Sequence, residues 1–280
     1  MRALAEVENP MVLGTIEPIN NVPTFQYVEM KRDFRDVYGS LIVFNDDYME
    51  FSNGDIGEFS RPPSTALTVG SYLHAAFESN EAFTEFKELN HHTIYNNRGN
   101  KYKDYEKADD MIETIKNDEF CMFALQSEKE VIYTGELFGV EWKIKVDNIN
   151  HERGFFSDIK STQEFRQRYW SEKYNTWVSC VQAFDYVLQM WVYREIIFQN
   201  TGRYYDPYIV AVTKESPPDK AVLRFDFGRF DFEKEYVQTM LPSMVEAKLG
   251  HKNPHRCDKC EYCRATKKLE DAFEIEYLLD

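Results

Sequence analysis

No stretch of this 280-residue chain is apolar for long enough to span a bilayer, and the opening residues, with Glu6, Glu8 and Pro10, do not read as a signal peptide. The two absences predict a cytoplasmic protein with no membrane partner. Cysteine is scarce as well, with five residues of which three fall between Cys257 and Cys263. So few thiols, so placed, point away from a disulfide framework and toward metal binding in a reducing compartment. Positive charge is also in deficit: 33 Lys and Arg face 48 Asp and Glu, a net charge of -15. This speaks against a simple DNA-coating protein, because backbone contacts are made by Lys and Arg that displace counterions. An enzyme needs only a local basic path. One candidate is Lys248 to Lys268, where Lys248, Lys252, Arg256, Lys259, Arg264, Lys267 and Lys268 outnumber Asp258 and Glu261, although a solvated charged tail would have the same composition.

What is present describes a globular chain. Hydrophobic residues make up 43% and aromatics 15%, enough for a substantial core in one large domain or one and a half small ones. Pro10, Pro18 and Pro23 interrupt the first segment, and Phe25 to Tyr38 shows no clear period, so residues 1–44 read as an N-terminal extension. Residues 45–249 form the main domain, and residues 250–280 a Cys-rich C-terminal segment.

The chemistry concentrates in Gly139 to Lys160. Trp142, Ile144 and Val146 alternate with Lys143, Lys145 and Asp147, the period-two pattern of a strand with one buried face. His151 to Gly154 has turn composition, and a second strand from Gly154 places Asp158 and Lys160 on one side, flanking a buried Ile159. Two carboxylates and an amine thus converge at one sheet edge. Mg²⁺, or Mn²⁺ in its place, prefers carboxylate and carbonyl oxygens and keeps several waters, so Asp147, Asp158 and the Ile159 carbonyl suit an open site for phosphodiester hydrolysis. Lys160 could hold a water or offset charge on the phosphorus. Taken alone, an Asp-x-Lys in a strand is more often a surface ion pair.

Around this centre the pattern predicts a helix from about Val69 to Asn80 capped by Thr68, with Leu73, Ala76 and Phe77 facing the core and His74 at the edge of that stripe. His91 and His92 fall in a polar, loop-like region. Lys107 to Asn117 reads as an amphipathic helix with Ala108, Met111, Ile112 and Ile115 inward. Phe120 to Gln126 and Glu130 to Phe138 read as further strands, with Glu136 a spare carboxylate and Glu141 roughly 20 Å along the strand from Asp147, too far to share an ion. Ser161-Thr162-Gln163-Glu164 has capping-box spacing. Beyond it, aromatics interleave with cations from Phe165 to Tyr174, a pattern that could grip single-stranded DNA or form a packed loop. A long helix is predicted from about Trp177 to Asn200, and it holds two Gln-x-x-x-Tyr pairs, Gln182 with Tyr186 and Gln189 with Tyr193. Tyr208 to Thr213 and Ala221 to Phe227 read as strands, and Phe232 to Leu249 as a helix broken near Pro242.

His in a helix, then Asp, Asp-x-Lys and Gln-x-x-x-Tyr, resembles the order of the PD-(D/E)XK nuclease superfamily, and in particular its RecE-like (exonuclease VIII-like) phage and prophage exonucleases. The residues that carry the likeness are Gly70-Ser71-Tyr72-Leu73-His74, Asp147, Asp158-Ile159-Lys160 and Gln189-Met190-Trp191-Val192-Tyr193. Asn45-Asp46-Asp47-Tyr48 and Ser52-Asn53-Gly54-Asp55-Ile56 look like the family's opening turn and first helix. The flanking residues favour Gln189 and Tyr193 over the earlier pair. The resemblance implies an α/β, restriction-endonuclease-like core: a central mixed sheet flanked by helices. It implies that His74 joins Asp147, Asp158 and the Ile159 carbonyl as a Mg²⁺ ligand, that Lys160 positions water, and that Gln189 and Tyr193 support the site or touch DNA. It further implies an exonuclease that works 5′ to 3′ on one strand of linear double-stranded DNA, assembles as a homo-oligomer and passes the 3′ strand to a RecT-like annealing protein, in the host cytoplasm if phage-encoded. A metal-dependent endonuclease and an inactive DNA-end-binding module are the alternatives.

Cys257-x-x-Cys260-x-x-Cys263 suits a soft or borderline metal. With His255 or His251 it would make a Cys₃His zinc site, and with Cys121 or Cys180 a four-cysteine site able to hold an iron–sulfur cluster. Superfamily members with such a cluster carry a cysteine ahead of the catalytic His, and no cysteine precedes His74.

Overall fold

The computed structural model describes residues 11–13, 65–248, 251, 261–265, 267–269, 271–272 and 274. Most of the N-terminal extension, the opening turn and first helix of the family-like segment, and His255, Cys257 and Cys260 lie outside the described residues.

The fold is built on a mixed sheet whose centre is β3 (Val140–Asn150). Its hairpin partner β2 (Glu128–Leu137) runs antiparallel along one whole edge. Phe138 and Gly139 turn the chain with φ of 55° and 77°, the left-handed pair that matches the twist of a tight hairpin. The other edge of β3 is shared: β1 (Met11–Leu13) pairs in parallel with Trp142 to Ile144, and β4 (Phe155–Thr162) pairs antiparallel with Asn148 to Asn150. A gap remains between them. β7 (Asp206–Thr213) continues the sheet parallel to β4, and β8 (Lys220–Arg224) closes the path antiparallel to β7.

Helices cover both faces. On one side α1 (Thr65–Glu78), α4 (Lys103–Lys116) and α5 (Glu119–Leu125) pack on Ile159, Val210 and Val212. The stripe of Ala108, Met111, Ile112 and Ile115 is buried there, and each large side chain removed from water contributes roughly 1.5–3 kcal/mol. Between α1 and α4 run α2 (Asn80–Leu89) and the short α3 (His91–Ile94), so His91 and His92 sit on a helical turn rather than a loop. On the other side α7 (Tyr186–Thr201) and α8 (Gly228–Lys248) bury Trp142, Ile144, Val146, Phe156, Ile209 and Ala211. β4 is buried on both faces, as the central strand of a covered sheet must be.

Four local expectations are corrected. Phe120 to Leu125 lie in α5 rather than a strand, because Asp118 accepts hydrogen bonds from the amides of Phe120 and Cys121 and caps a helix. The capping-box spacing at Ser161 starts no helix, since Ser161 and Thr162 are taken by the ladder with β7. The long helix begins at Tyr186 rather than Trp177: Trp177 lies in the hairpin of β5 (Tyr169–Ser171) and β6 (Thr176–Val178), followed by the short α6 (Cys180–Ala183) and a left-handed Asp185 at φ 55°. α8 runs through Pro242 without a break, because Leu241 and Met244 on either side are anchored in the core while Pro242 itself is exposed.

Candidate active site

The antiparallel ladder of β3 and β4 ends at the pair Asn148 and Ser157. One step further, Asp147 and Asp158 would face each other, and there the strands part. The sheet thus opens at the two acidic residues. α1 supplies His74 from above the opening, with Nδ1 2.9 Å from Asp147 Oδ2. One nitrogen or oxygen of each of His74, Asp147 and Asp158 lies within 4.8 Å of the others, a spacing suited to a shared cation.

The two oxygens of Asp158 have different surroundings. Oδ2 takes the Lys160 ammonium at 2.7 Å and the Gln189 amide Nε2 at 2.9 Å. Oδ1 is fully enclosed with no donor, and the Asp147 carboxyl lies within hydrogen-bonding reach of Asp158. An ionised carboxylate oxygen buried without a donor costs free energy, and beside a second carboxylate it costs more. Burial, and then the neighbouring Asp147, push Asp158 up to about 7 against the opposing pull of Lys160. For Asp147, burial also favours the proton, but His74 outweighs it and holds the carboxyl below its usual range. Burial works against a charged His74 imidazole, and the Asp147 carboxylate more than offsets it, so the ring titrates above its ordinary value. A group of acceptors with too few donors, one left bare, fits a hard divalent cation.

α7 places the remaining residues. Gln189 is buried against Asp158, and the Tyr193 hydroxyl donates to the Lys145 carbonyl at 2.9 Å, in the gap that β1 and β4 leave along β3. Gln182 lies before the break at Asp185, with its Oε1 3.4 Å from the Ser179 hydroxyl. Its spacing partner Tyr186 still reaches the centre, its ring 4.9 Å beneath Lys160 Nζ. Glu136 faces Glu141 at the far end of the β2–β3 hairpin, with its amide donating to Gln199. Cys263, on α9 (Glu261–Ala265), is buried in the core beside α7 and α8, while Cys121 and Cys180 are separately buried.

Sequence reading missed the polar ring around Asp147. Glu130 falls opposite Asp147 in the β2–β3 register, at φ 57°, and is ion-paired to Lys145. Lys129 donates to Asn148 and to the Leu125 carbonyl. Burial pushes Glu130 up and Lys129 down, so both belong to the low-dielectric surroundings of the site. Only the strand register could have found them, since no motif links residue 130 to residue 147.

Residues 40–266 match the family model of a PDDEXK-like domain of unknown function, DUF3799. A crystal structure from Eubacterium rectale, of a protein provisionally named an exonuclease, is similar at 27% identity and a TM-score of 0.77, over 99% of this chain and 95% of that one. A second solved structure, SSO0001, is 13% identical over 72% of this chain and 85% of that one, with a TM-score of 0.28. No curated protein matches the sequence.

Proposed function

The chain belongs to the family of PDDEXK-like DUF3799 domains, and we propose that it is a metal-dependent exonuclease acting on linear double-stranded DNA. The observation that carries this reading is the opened ladder, where His74, Asp147 and Asp158 meet beside Lys160 and one Asp158 oxygen has no donor. His74, Asp147, Asp158 and the Ile159 carbonyl would hold Mg²⁺ or Mn²⁺. Such an ion supplies Lewis-acid polarisation of a phosphate oxygen and a lowered pKa for bound water.

The protein's own groups set the rest. Lys160, held on Asp158 and over the Tyr186 ring, carries positive charge to the edge of the site, where it can orient a water and meet charge developing on the phosphate. Gln189 fixes the Asp158 carboxylate so that Oδ2 stays engaged and Oδ1 is left without a donor. Tyr193 holds the β3 backbone at Lys145, two residues before Asp147.

The E. rectale likeness supports exonuclease over endonuclease, and the RecE-like motif order supports extending the reading to 5′-to-3′ degradation, a ring-like homo-oligomer and delivery of the 3′ strand to a RecT-like annealing protein. A zinc site of Cys257, Cys260, Cys263 and His255 belongs to the same proposal. Digestion of linear and closed circular duplex DNA with Mg²⁺ tests the central point. Mononucleotides from the linear form alone are expected; cutting of circles would establish the endonuclease instead, and binding without hydrolysis in Mg²⁺ or Mn²⁺ would leave an inactive end-binding module.

A further inference from the structure

The chain between β4 and α7 forms the β5–β6 hairpin, placed between the strand of Asp158 and Lys160 and the helix of Gln189. Its two faces differ. Tyr169 pairs with Val178, and Val178 is buried while the Tyr169 ring packs edge-on against Phe184 at 5.1 Å. Trp170 and Trp177, the next cross-strand pair, point the other way and are 53% and 61% exposed, with ring centroids 5.9 Å apart. Two tryptophans left in water on one small sheet are costly unless something covers them.

One end of the hairpin is joined to the active site by a run of rings, and its turn is clamped to Asp185 and to Glu233 of α8. Rings lead from Tyr169 to Phe184, from Phe184 to Tyr186 at 6.0 Å, and from Tyr186 to the Lys160 ammonium at 4.9 Å. At its turn Lys173 donates to Asp185 at 2.8 Å and pairs with Glu233, while Tyr174 donates to the other oxygen of Glu233. The backbone carbonyl of Asp185 accepts the backbone N–H of Gln189. The tryptophan face is therefore held in a set relation to the Asp158 carboxylate. Arg166 and Arg168, on the approach from β4, are exposed and make no ion pair among the described residues.

We infer that this face binds single-stranded DNA, with Trp170 and Trp177 stacking on unpaired bases of the strand whose phosphates enter the metal site, and with Arg166 and Arg168 on its backbone. The occupant follows from the chemistry. Base faces cover exposed indoles, the two free guanidinium groups pair with phosphates, and a strand must part from its duplex before a recessed phosphodiester reaches Lys160. A cross-strand tryptophan pair also steadies a hairpin, but the Tyr169–Val178 packing and the Lys173 clamp already hold this one. The inference deepens the nuclease reading and rests on it for the identity of the strand.

Binding of fluorescein-labelled oligo(dT) by the intact protein in EDTA tests it without hydrolysis. The double variant Trp170→Ala/Trp177→Ala is expected to bind about 10- to 100-fold more weakly, with Trp170→Phe/Trp177→Phe recovering most of the loss and both melting near the native temperature. Native affinity in the alanine variant would overturn the inference. Trp142 and Trp191 are buried, so acrylamide quenching of the unmodified protein reports on the exposed pair. If the alanine variant fails to fold, or phenylalanine does not restore binding, shielding of that quenching by oligo(dT) supports stacking and unchanged quenching refutes it. Stacking without cleavage of any DNA would sink the nuclease reading and leave this surface standing.

Discussion

Two buried clusters of charge sit at opposite ends of the segment between β4 and α8, and they differ in how their oxygens are used. Around Glu233 the account is closed: Lys173 donates to one oxygen, Tyr174 to the other, and Lys173 also satisfies Asp185. Around Asp158 it is open: Lys160 and Gln189 both donate to Oδ2, and Oδ1 has no donor. Both clusters contain two carboxylates and a lysine, and Asp158 is as deeply buried as Asp185, so neither composition nor the burial of these two carboxylates distinguishes them. The bare acceptor does. A saturated cluster fixes structure, whereas a cluster with an unsatisfied oxygen at a parted ladder suits the cation proposed above.

Removing Lys173 should break the comparison most severely. Lys173→Ala leaves Glu233 buried beside Asp185 without a counter-charge, and such losses cost about 3–5 kcal/mol, visible as a large fall in melting temperature. Lys160→Ala should instead lower the hydrolysis rate by about 10²–10³-fold with a smaller change in melting, since Asp158 can take up a proton in its place. Gln189→Leu, which frees the Asp158 carboxylate to turn, should weaken divalent-metal affinity by about 10- to 100-fold in a calorimetric titration. Tyr193→Phe removes one hydrogen bond to the Lys145 carbonyl and should cost only about 1 kcal/mol of stability.

A pH dependence sharpens the contrast. Burial, then Asp147, raise Asp158 from 3.8 to about 7 in the folded protein, so the folded state binds that proton more tightly than the unfolded chain. In EDTA, this group should make stability fall as pH rises between about 4 and 7, and Asp158→Asn should flatten that slope. With Mn²⁺ the sign reverses for binding: affinity should strengthen as pH rises through about 7, with proton release measurable by titration in buffers of different ionisation enthalpy.

The parts of this fold that a sequence shows are those where one face is buried and the other is not. The alternation of Trp142, Ile144 and Val146 was legible because β3 has one core side. The α4 stripe was legible for the same reason at helical period. In α5 the run Phe120 to Gln126 is too short to show a period, and its apolar residues suit a strand until Asp118 is recognised as a cap. The break at Asp185 was hidden because the Gln182–Tyr186 and Gln189–Tyr193 pairs share one helical spacing, and a left-handed Asp185 held by Lys173 is visible only in the structure. Asp158 and Lys160 were singled out by strand alternation and His74 by motif order, while Glu130 and the bare oxygen of Asp158 depend on register and packing, which sequence does not display.

The most direct measurement is Mn²⁺ binding to the unmodified protein and to Asp158→Asn, followed by calorimetry or electron paramagnetic resonance, with circular dichroism melts on both. The open cluster predicts a Mn²⁺ site in the unmodified protein that is lost in the variant while its fold is retained. Equal binding by the two proteins, or no binding by either, would contradict the assignment of the parted ladder as the metal centre.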